Sequence, residues 1–195
     1  SRNRDLDRAA IEAARKWRFN AATRDGAAAA GDTADALDLD RPRADLDEVR
    51  ERHRVTLDEG RPDAVAKRRR IGRRTARENI DDLVDAGSFT EYGALLLPAQ
   101  RARRSEEELI ATGAADGLIG GLATIDGAEA MVISYDYTVL AGTQGYLNHK
   151  KTDRMLEIAE QQRLPVVLFA EGGGGRPGDT DTTVASGLDV PTFAT

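Results

Sequence analysis

A short apolar segment followed at once by four glycines constrains the fold of this 195-residue chain more than any other feature. Residues 165–170 (PVVLFA) have the composition of a buried strand, and residues 172–175 are all glycine. Glycine has no Cβ, so such a loop can bring its backbone N–H groups close to another group. Sheets of α/β proteins usually hold ligands at the carboxyl ends of their strands. We therefore expect a close-fitting ligand at this loop.

The segments before the loop predict an α/β core. Residues 89–93, 114–125 and 130–138 are strand-like, and the Asp126-Gly127 pair is a strong signal for the tight turn of an antiparallel hairpin. A glycine-containing turn over 141–145 then leads into a predicted helix over 146–162. A strand, a helix and a second strand close a right-handed crossover, which places helices against a sheet.

The N-terminal part follows a different pattern. Residues 5–18 place Leu6 and Trp17 near one face of a helix, and residues 21–40 are rich in Ala, Asp and Gly, as in a linker. We expect residues 1–40 to be a helix and linker, and residues 41–195 to be the α/β domain. The chain begins with Ser1 rather than Met, which suggests a piece of a longer protein.

A capping box, Thr75-Ala-Arg-Glu78, predicts the start of a helix. This helix should carry Ile80, Leu83 and Val84 on its apolar side. It should end near Gly87, because glycine suits the left-handed residue after a helix.

Composition excludes several classes of site. The chain has no cysteine, which rules out disulfides, thiolate metal ligands and thiol nucleophiles, and it has only two histidines, neither in a metal-binding spacing. No apolar run approaches the length of a membrane span, and the first 25 residues are charged rather than signal-like. These features predict a cytoplasmic protein without a metal.

Residues 61–77 carry eight basic side chains, although the net charge of the chain is −6. This cluster predicts a local anion site. Nucleic acid is one candidate for this anion, but no aromatic residue lies between the arginines and the rest of the chain is acidic. A solvated helix face is the alternative.

Three kinds of binding site are considered for the glycines. Gly173-x-Gly175-x-x-Gly178 matches a dinucleotide pattern, but Pro177 stands where an early helical residue is expected. The G-x-x-x-x-G spacing of a phosphate loop is also present, but Asp179 stands where lysine would meet the phosphates. The third class is an oxyanion hole, in which paired N–H groups stabilise charge on a thioester oxygen. A flexible surface loop explains the glycines but not their position after a buried strand.

Several strings, in the same order, resemble the carboxyltransferase domain of biotin-dependent acyl-CoA carboxylases. The longest are GRRTARENI over 72–80 and LVDAGSFTE over 83–91. They are joined by ADG (115–117), IGG (119–121), YDYT (135–138), GTQG (142–145) and NHKK (148–151). EGGGGRPGD over 171–179 stands where many members have a Ser-Gly-Gly-Ala-Arg-type sequence. The resemblance covers about residues 46–195.

This resemblance implies a crotonase-like fold of repeated ββα units, of which the chain would be an N-terminal partial lobe, truncated at its C-terminus and preceded by a helical extension. It implies transfer of a carboxyl group from carboxybiotin to the α-carbon of a short- or longer-chain acyl-CoA, with acetyl-CoA and propionyl-CoA as expected substrates. A fragment this short is expected to be inactive alone. Biotin on a carrier domain and the coenzyme A thioester are the implied cofactors, with no metal.

The implied partners are biotin carboxylase and biotin carboxyl carrier domains or subunits, in a homo-oligomer, with neither nucleic acid nor membrane. Residues 1–20 are expected to dock on one of those domains. A biotin-dependent acyl-CoA decarboxylase and a non-catalytic scaffold or assembly domain are the alternative functions.

In the family's mechanism, backbone amides hold the ureido oxygen of carboxybiotin and the thioester oxygen. The resemblance assigns one such donor set to Gly172, Gly173, Gly174 and Gly175. Cations near a groove raise the local anion concentration, and the candidates for the CoA phosphates are Arg73, Arg74, Lys150 and Lys151. A solvated surface is the alternative interpretation of these four side chains.

Four other charged groups have simpler interpretations. Arg77 lies in the first turn of its helix, where the dipole disfavours a cation, so it is expected to have an anionic partner. His149 is interpreted as a surface or capping group, and Asp136 and Asp153 as strand-end and helix-surface charges.

Overall fold

We describe the protein from a computed structural model, which covers residues 23–24, 27–28 and 44–182 in two units, Ser1–Arg43 and Ala44–Thr195. In the first unit, β1 (Thr23–Arg24) and β2 (Ala27–Ala28) pair antiparallel. The predicted helix over residues 5–18 and most of the predicted linker lie outside the described residues. The division of the chain at residue 40 therefore stays a prediction.

The described residues of the second unit form a four-stranded sheet in the order β3-β4-β5-β6. β3 (Thr90–Glu91) pairs antiparallel with β4 (Leu118–Ile125), which pairs antiparallel with β5 (Ala128–Tyr135) along its whole length. Asp126 and Gly127 form the turn of this hairpin, with φ of 50° and 78°. The predicted hairpin is confirmed. Both strands are shorter than predicted, because residues 114–117 and 136–139 form turns.

The described part of this unit, residues 44–182, has five α-helices: α1 (Ala44–Arg54), α2 (Pro62–Arg70), α3 (Ala76–Leu83), α4 (Glu106–Thr112) and α5 (Tyr146–Gln162). The capping box of α3 is confirmed, since Thr75 and Glu78 each accept a hydrogen bond from the other's backbone N–H. α3 ends earlier than predicted because Val84 has an extended backbone, and Gly87 lies in the turn beyond it.

The β4–β5 hairpin is covered on both faces. Successive side chains of a strand point to opposite faces, so Ile119 and Val132 pack with Ile80 of α3. Leu118 lies on the other face and packs with Met155 of α5. Burying a side chain of this size contributes roughly 1.5–3 kcal/mol. The core is thus a helix–sheet–helix sandwich, which confirms the predicted α/β class.

β6 (Val166–Phe169) lies parallel to β5 and is reached through α5, as the strand–helix–strand pattern predicts. The prediction that this strand is buried is wrong, because Val166 and Leu168 are 42% and 46% exposed. These side chains share the α5 face with their register partners Met131 and Ile133. α5 lies over β4 and β5, and β6 is the edge strand within the described residues, so this part of the face is uncovered.

None of the helices that the structure describes combines the length and apolar character needed to cross a membrane.

Candidate functional site

The glycine loop, residues 171–176, leaves β6 and runs beside the segment that begins α5. Three backbone hydrogen bonds hold it there: Gly173 N to Ala141 O at 3.0 Å, Gln144 N to Gly174 O at 2.8 Å, and Arg176 N to Gln144 O at 2.8 Å. The loop therefore has a fixed neighbour and is not a free surface excursion.

That neighbour is a left-handed turn, Leu140–Gly142, whose three residues have φ of 49°, 55° and 63°. Such a conformation costs roughly 1–2 kcal/mol for a residue with a Cβ, so surrounding contacts must maintain it. A Cβ on Gly142 would lie 2.3 Å from the carbonyl oxygen of Glu171, and one on Gly172 would lie 2.3 Å from that of Gly142. The two backbones touch, and only glycine fits at either position.

The N–H groups of the glycine loop differ in availability. The N–H of Gly173 is occupied by Ala141, whereas those of Gly172, Gly174 and Gly175 have no hydrogen-bond partner in the described part of the chain. All four glycines are exposed. Gly174 has φ of 89° and open space where a Cβ would stand. Three N–H groups of the loop are thus available as hydrogen-bond donors within the described residues.

Arg176, which ends the glycine loop, points its guanidinium into the interior and is 4% exposed. It forms an ion pair with the fully buried Asp116 and donates to the carbonyl oxygen of Thr143 at 2.6 Å. Asp179 lies 3.5 Å from the same guanidinium. Burial raises the pKa of Asp116 to about 6, although the charge of Arg176 opposes the rise. We call these four residues the Arg176 cluster.

Asp179 connects the Arg176 cluster to the start of α5. Its Oδ2 accepts a hydrogen bond from the backbone N–H of Tyr146 at 2.8 Å, and its Oδ1 accepts one from Gln100 at 3.2 Å. A carboxylate at a helix N-terminus is favourable because the helix dipole is positive there. A Cβ on Gly145 would lie 2.1 Å from Asp179 Oδ2, so the cluster packs directly on the helix start.

A cleft of about 590 Å³ lies between α2 and residues 137–139. Its lining includes the apolar side chains of Ile71 and Val139 and the cations Lys67 and Arg68. Arg68 is 6% exposed and forms an ion pair with Glu171, the first residue of the glycine loop. The cleft and the glycine loop are therefore joined through this contact.

Three of the four predicted phosphate-binding cations are on the surface. Arg73 and Lys150 are exposed, and Lys150 Nζ lies 5.7 Å from the ring centroid of Tyr146. Arg74 is also exposed and pairs with Asp82 at 3.0 Å. None of the three lines the cleft, and the structure does not bring them together with the glycines.

Lys151 is placed differently from the prediction. It is 4% exposed, and its ammonium donates to the carbonyl oxygens of Leu118 and Gly93, the second at 3.2 Å. Burial lowers its pKa to about 8. This corrects the interpretation of Lys151 as a ligand of a CoA phosphate: it ties α5 to the sheet and does not reach the surface.

Two further charged groups were interpreted from the sequence. Arg77 pairs with Glu91 at 2.9 Å, which confirms the anionic partner predicted for it. Asp136 is not a simple strand-end charge, because it is 2% exposed and pairs with Arg61 at 2.8 Å. This pair joins the end of β5 to the residue before α2.

His149 is half-buried, and its Nε2 lies 2.8 Å from Gln144 Oε1. Burial lowers the pKa of His149. Among residues 44–182 and the two short strands before them, no group of three or more His, Asp, Glu or Cys side chains could hold a metal ion.

A family profile described as the carboxyl transferase domain matches residues 67–189, more than half of the chain. The chain belongs to the carboxyl transferase domain family. The matched range contains the glycine loop, the left-handed turn, the Arg176 cluster and part of the cleft. The resemblance stated from the sequence is confirmed.

Curated relatives of this carboxyl transferase domain are subunits of carboxylases. It is 36% identical over 140 residues to the biotin-dependent long chain acyl-coenzyme A carboxylase beta4 subunit of Mycobacterium tuberculosis, covering 72% of this chain and 25% of that one. It is 33% identical over 144 residues to the propionyl-CoA carboxylase beta chain of Saccharopolyspora erythraea, covering 73% and 26%. The chain thus spans about a quarter of the length of these relatives.

Solved structures agree. A single-chain, multi-domain long-chain acyl-CoA carboxylase is 70% identical with a TM-score of 0.73, covering 79% of this chain and 16% of that one. The transcarboxylase 12S hexamer, with hydrolyzed methylmalonyl-coenzyme A bound, is 28% identical with a TM-score of 0.58, covering 75% and 27%. The predicted crotonase-like fold, present as a partial lobe, is confirmed.

The carboxyl transferase domain lacks the context that both competing motif patterns require. A dinucleotide fingerprint and a phosphate loop each open a helix. No helix follows the glycine loop up to residue 182, where the described part of the chain ends.

Sequence reasoning missed Asp116, Arg176 and Arg68 as parts of the site. Asp116 and Arg176 stood inside the ADG and EGGGGRPGD strings, but they are 60 residues apart, and nothing in the spacing says that their loops meet. Arg68 was one of eight basic residues in a run. Its burial is visible only once α2 is placed beside residue 171.

Proposed function

We propose that this carboxyl transferase domain is part of a biotin-dependent acyl-CoA carboxylase and serves transfer of the carboxyl group of carboxybiotin to the α-carbon of an acyl-CoA. The observation that carries the proposal is the set of N–H groups at Gly172, Gly174 and Gly175 that have no partner in the described residues, in a loop that the Arg68–Glu171 ion pair connects to the cleft. These N–H donors belong to exposed glycines. They suit a carbonyl or ureido oxygen, which is neutral in the ground state and gains negative charge during reaction.

The chain's own contribution is electrostatic. Loss of the α-proton of a thioester moves charge onto the thioester oxygen, and fixed N–H donors stabilise that charge without reorganising. When bound, carboxybiotin supplies the carboxyl group and a nitrogen able to take the α-proton. Loss of one donor of this kind typically costs about 10²-fold or more in rate. Gly172, Gly174 and Gly175 form one donor set in this proposal, and Gly173 holds the loop in place through Ala141.

The glycines are exposed, so further groups must exclude water from the reaction. We assign this role to the bound substrate and to a second carboxyltransferase lobe that contributes the opposite donor set. The length of the curated relatives, about four times the matched segment, supports this assignment.

We assign the cleft between α2 and residues 137–139 to coenzyme A. Lys67 is exposed at its wall, and Arg68 lies deeper and reaches the glycine loop through Glu171. Cations in a groove with low-dielectric walls raise the local concentration of phosphates. Arg73, Arg74 and Lys150 do not line this cleft, and they stay candidates for the phosphates only as exposed surface cations.

The substrate class is an acyl-CoA thioester. The sequence leads us to propose acetyl-CoA and propionyl-CoA, while the beta4 relative and the solved structure at 70% identity carry long-chain names. Acetyl-, propionyl- and palmitoyl-CoA therefore belong in the same assay.

The proposed partners are biotin carboxylase and biotin carboxyl carrier domains or subunits, in a homo-oligomer located in the cytoplasm. The multi-domain single-chain enzyme and the hexameric transcarboxylase support partners and assembly of this kind. Residues 1–40 are proposed as a helix and linker, with residues 41–195 as the start of the carboxyl transferase domain.

The function is tested by incorporation of radiolabelled bicarbonate into acyl-CoA. The full-length protein is assayed with a biotin carboxylase, its biotinylated carrier and ATP, and with unbiotinylated carrier as control. We expect acid-stable label in at least one acyl-CoA, dependent on biotinylation. Incorporation absent with every acyl-CoA would contradict the proposal, and biotin-dependent loss of the carboxyl group from a carboxyacyl-CoA would favour the decarboxylase instead.

A further inference from the structure

We propose that Arg176 is a positioning residue: paired with Asp116, it holds the glycine loop against the left-handed turn Leu140–Gly142, so that the free N–H groups keep the direction needed to meet substrate. This inference rests on the proposed function for its kinetic consequences. The attachment of the glycine loop to the left-handed turn is itself a property of the fold and can be measured separately.

The contacts of Arg176 join three segments that are distant in sequence. Its guanidinium pairs with Asp116, which precedes β4, and donates to the carbonyl oxygen of Thr143 at 2.6 Å and to Thr143 Oγ1 at 3.3 Å. Its backbone N–H donates to Gln144 O at 2.8 Å. Thr143 and Gln144 directly follow the left-handed turn, so one residue fixes the end of the glycine loop to that turn through both its backbone and its side chain.

Asp116 is itself held in an unusual conformation. It lies in a run of three left-handed residues, 115–117, with φ of 52°, 53° and 73°. The side-chain amide of Asn148, in the first turns of α5, donates to its carbonyl oxygen at 2.9 Å. The carboxylate is therefore presented to Arg176 by a backbone that has little freedom to move.

The geometry requires arginine rather than a cation in general. Arg176 uses Nε, Nη1 and Nη2 for different partners at once: Thr143 Oγ1, the Asp116 carboxylate and the Thr143 carbonyl. The planar guanidinium presents five donors in a rigid fork, whereas a lysine ammonium is a point charge on a flexible stem. Lysine would keep the charge and lose most of the fixed directions.

The energetics also favour a positional role. Desolvating two charges costs about as much as their attraction returns, so a buried ion pair is weak support for stability. Arg176 and Asp116 are 4% and 0% exposed. What the pair supplies is a defined distance and angle between the glycine loop and its neighbour.

The kinetic test uses the full-length protein with the variants Arg176→Lys and Asp116→Asn. A misplacement of about 1 Å can cost about 10²-fold in rate. We expect kcat for carboxyl transfer to fall by about 10-fold to 10²-fold with KM for acyl-CoA within about 2-fold of wild type. The double variant should lose no more than the worse single variant, because both residues act as one unit.

Arg77 and Glu91 provide the matched control. This ion pair is also largely buried, at 12% and 15% exposure, and joins α3 to β3 without contacting the glycine loop. Arg77→Lys and Glu91→Gln should retain kcat within about 2-fold at a comparable loss of thermal stability. The positioning role would be wrong if loss of kcat simply tracked loss of melting temperature. In that case the control variants and the Arg176 variants would show the same relation between the two losses.

Hydrogen exchange tests whether Arg176 and Asp116 hold the glycine loop against the left-handed turn, even if the proposed reaction is not found. The protected amides are Gly173, Gln144 and Arg176, which form the three loop hydrogen bonds. In Arg176→Lys and Asp116→Asn, peptides covering 141–146 and 171–177 should exchange at least about 10-fold faster, while peptides of β4 and β5 keep wild-type protection. Unchanged exchange of both loop peptides in both variants would overturn the proposal, whatever the bicarbonate assay shows.

Discussion

The carbonyl oxygen of Gly142 lies only 2.3 Å from the position that a Cβ on Gly172 would occupy. This contact leads to the first prediction. Gly172→Ala must push the glycine loop away from the left-handed turn, because both sides of the contact are backbone. We expect a loss of about 10²-fold in transfer rate and a modest loss of stability, measured by bicarbonate incorporation and thermal unfolding. Wild-type activity in this variant would show that the loop position does not matter.

Gly174 tests the donors themselves. A Cβ there meets nothing within 4 Å, but φ is 89°, so Gly174→Ala must strain the backbone and turn the neighbouring N–H groups. The matched control is Gly87→Ala, where φ is 75° and space is also open. Both variants should lose about 1–2 kcal/mol of stability. Only Gly174→Ala should lose transfer activity, and equal loss in both would remove the special role of the loop.

The sequence predicted the elements that depend on local patterns. The Asp126-Gly127 turn and the capping box of Thr75 and Glu78 were found where expected, because their geometry is set by residues close in sequence. The glycine loop was located correctly for the same reason: an apolar strand followed by glycines is a local signal.

Contacts between distant loops could not be predicted. The Arg176–Asp116 pair spans 60 residues and the Arg68–Glu171 pair spans 103, and charge composition does not say which partners meet. The sequence also made Lys151 a candidate for the CoA phosphates, as one of two adjacent lysines in the NHKK string. Its burial follows from the close approach of α5 to the sheet, which depends on packing rather than on pattern.

Lys151 predicts a pH-dependent stability. Its pKa falls from 10.5 to about 8 on burial, so between these values the unfolded chain binds more protons than the folded one. The unfolding free energy therefore rises with pH across that window. Below pH 8 this group is protonated in both states, so it adds no pH dependence. The measurement is urea unfolding of wild type and Lys151→Met at several pH values. The unfolding free energy of the wild type should rise relative to that of the variant from pH 8 to 10. A constant difference would contradict the burial of a protonatable amine.

Lys67 tests the assignment of the cleft. Lys67→Ala removes an exposed cation from its wall, and we expect KM for acyl-CoA to rise by about 3-fold to 10-fold at low salt, with kcat unchanged. The effect should shrink as ionic strength screens the charge. Arg154→Ala, which removes an exposed cation of α5 paired with Glu157, is the control and should leave KM unchanged. Equal effects of the two variants would show that only net charge matters.

The most direct measurement is a structure of the full-length protein with a non-reactive acyl-CoA analogue and biotin bound. The account predicts that the thioester oxygen or the ureido oxygen lies about 2.7–3.1 Å from at least one backbone nitrogen among Gly172, Gly174 and Gly175. Neither oxygen within hydrogen-bonding distance of these nitrogens, with both held elsewhere, would contradict it.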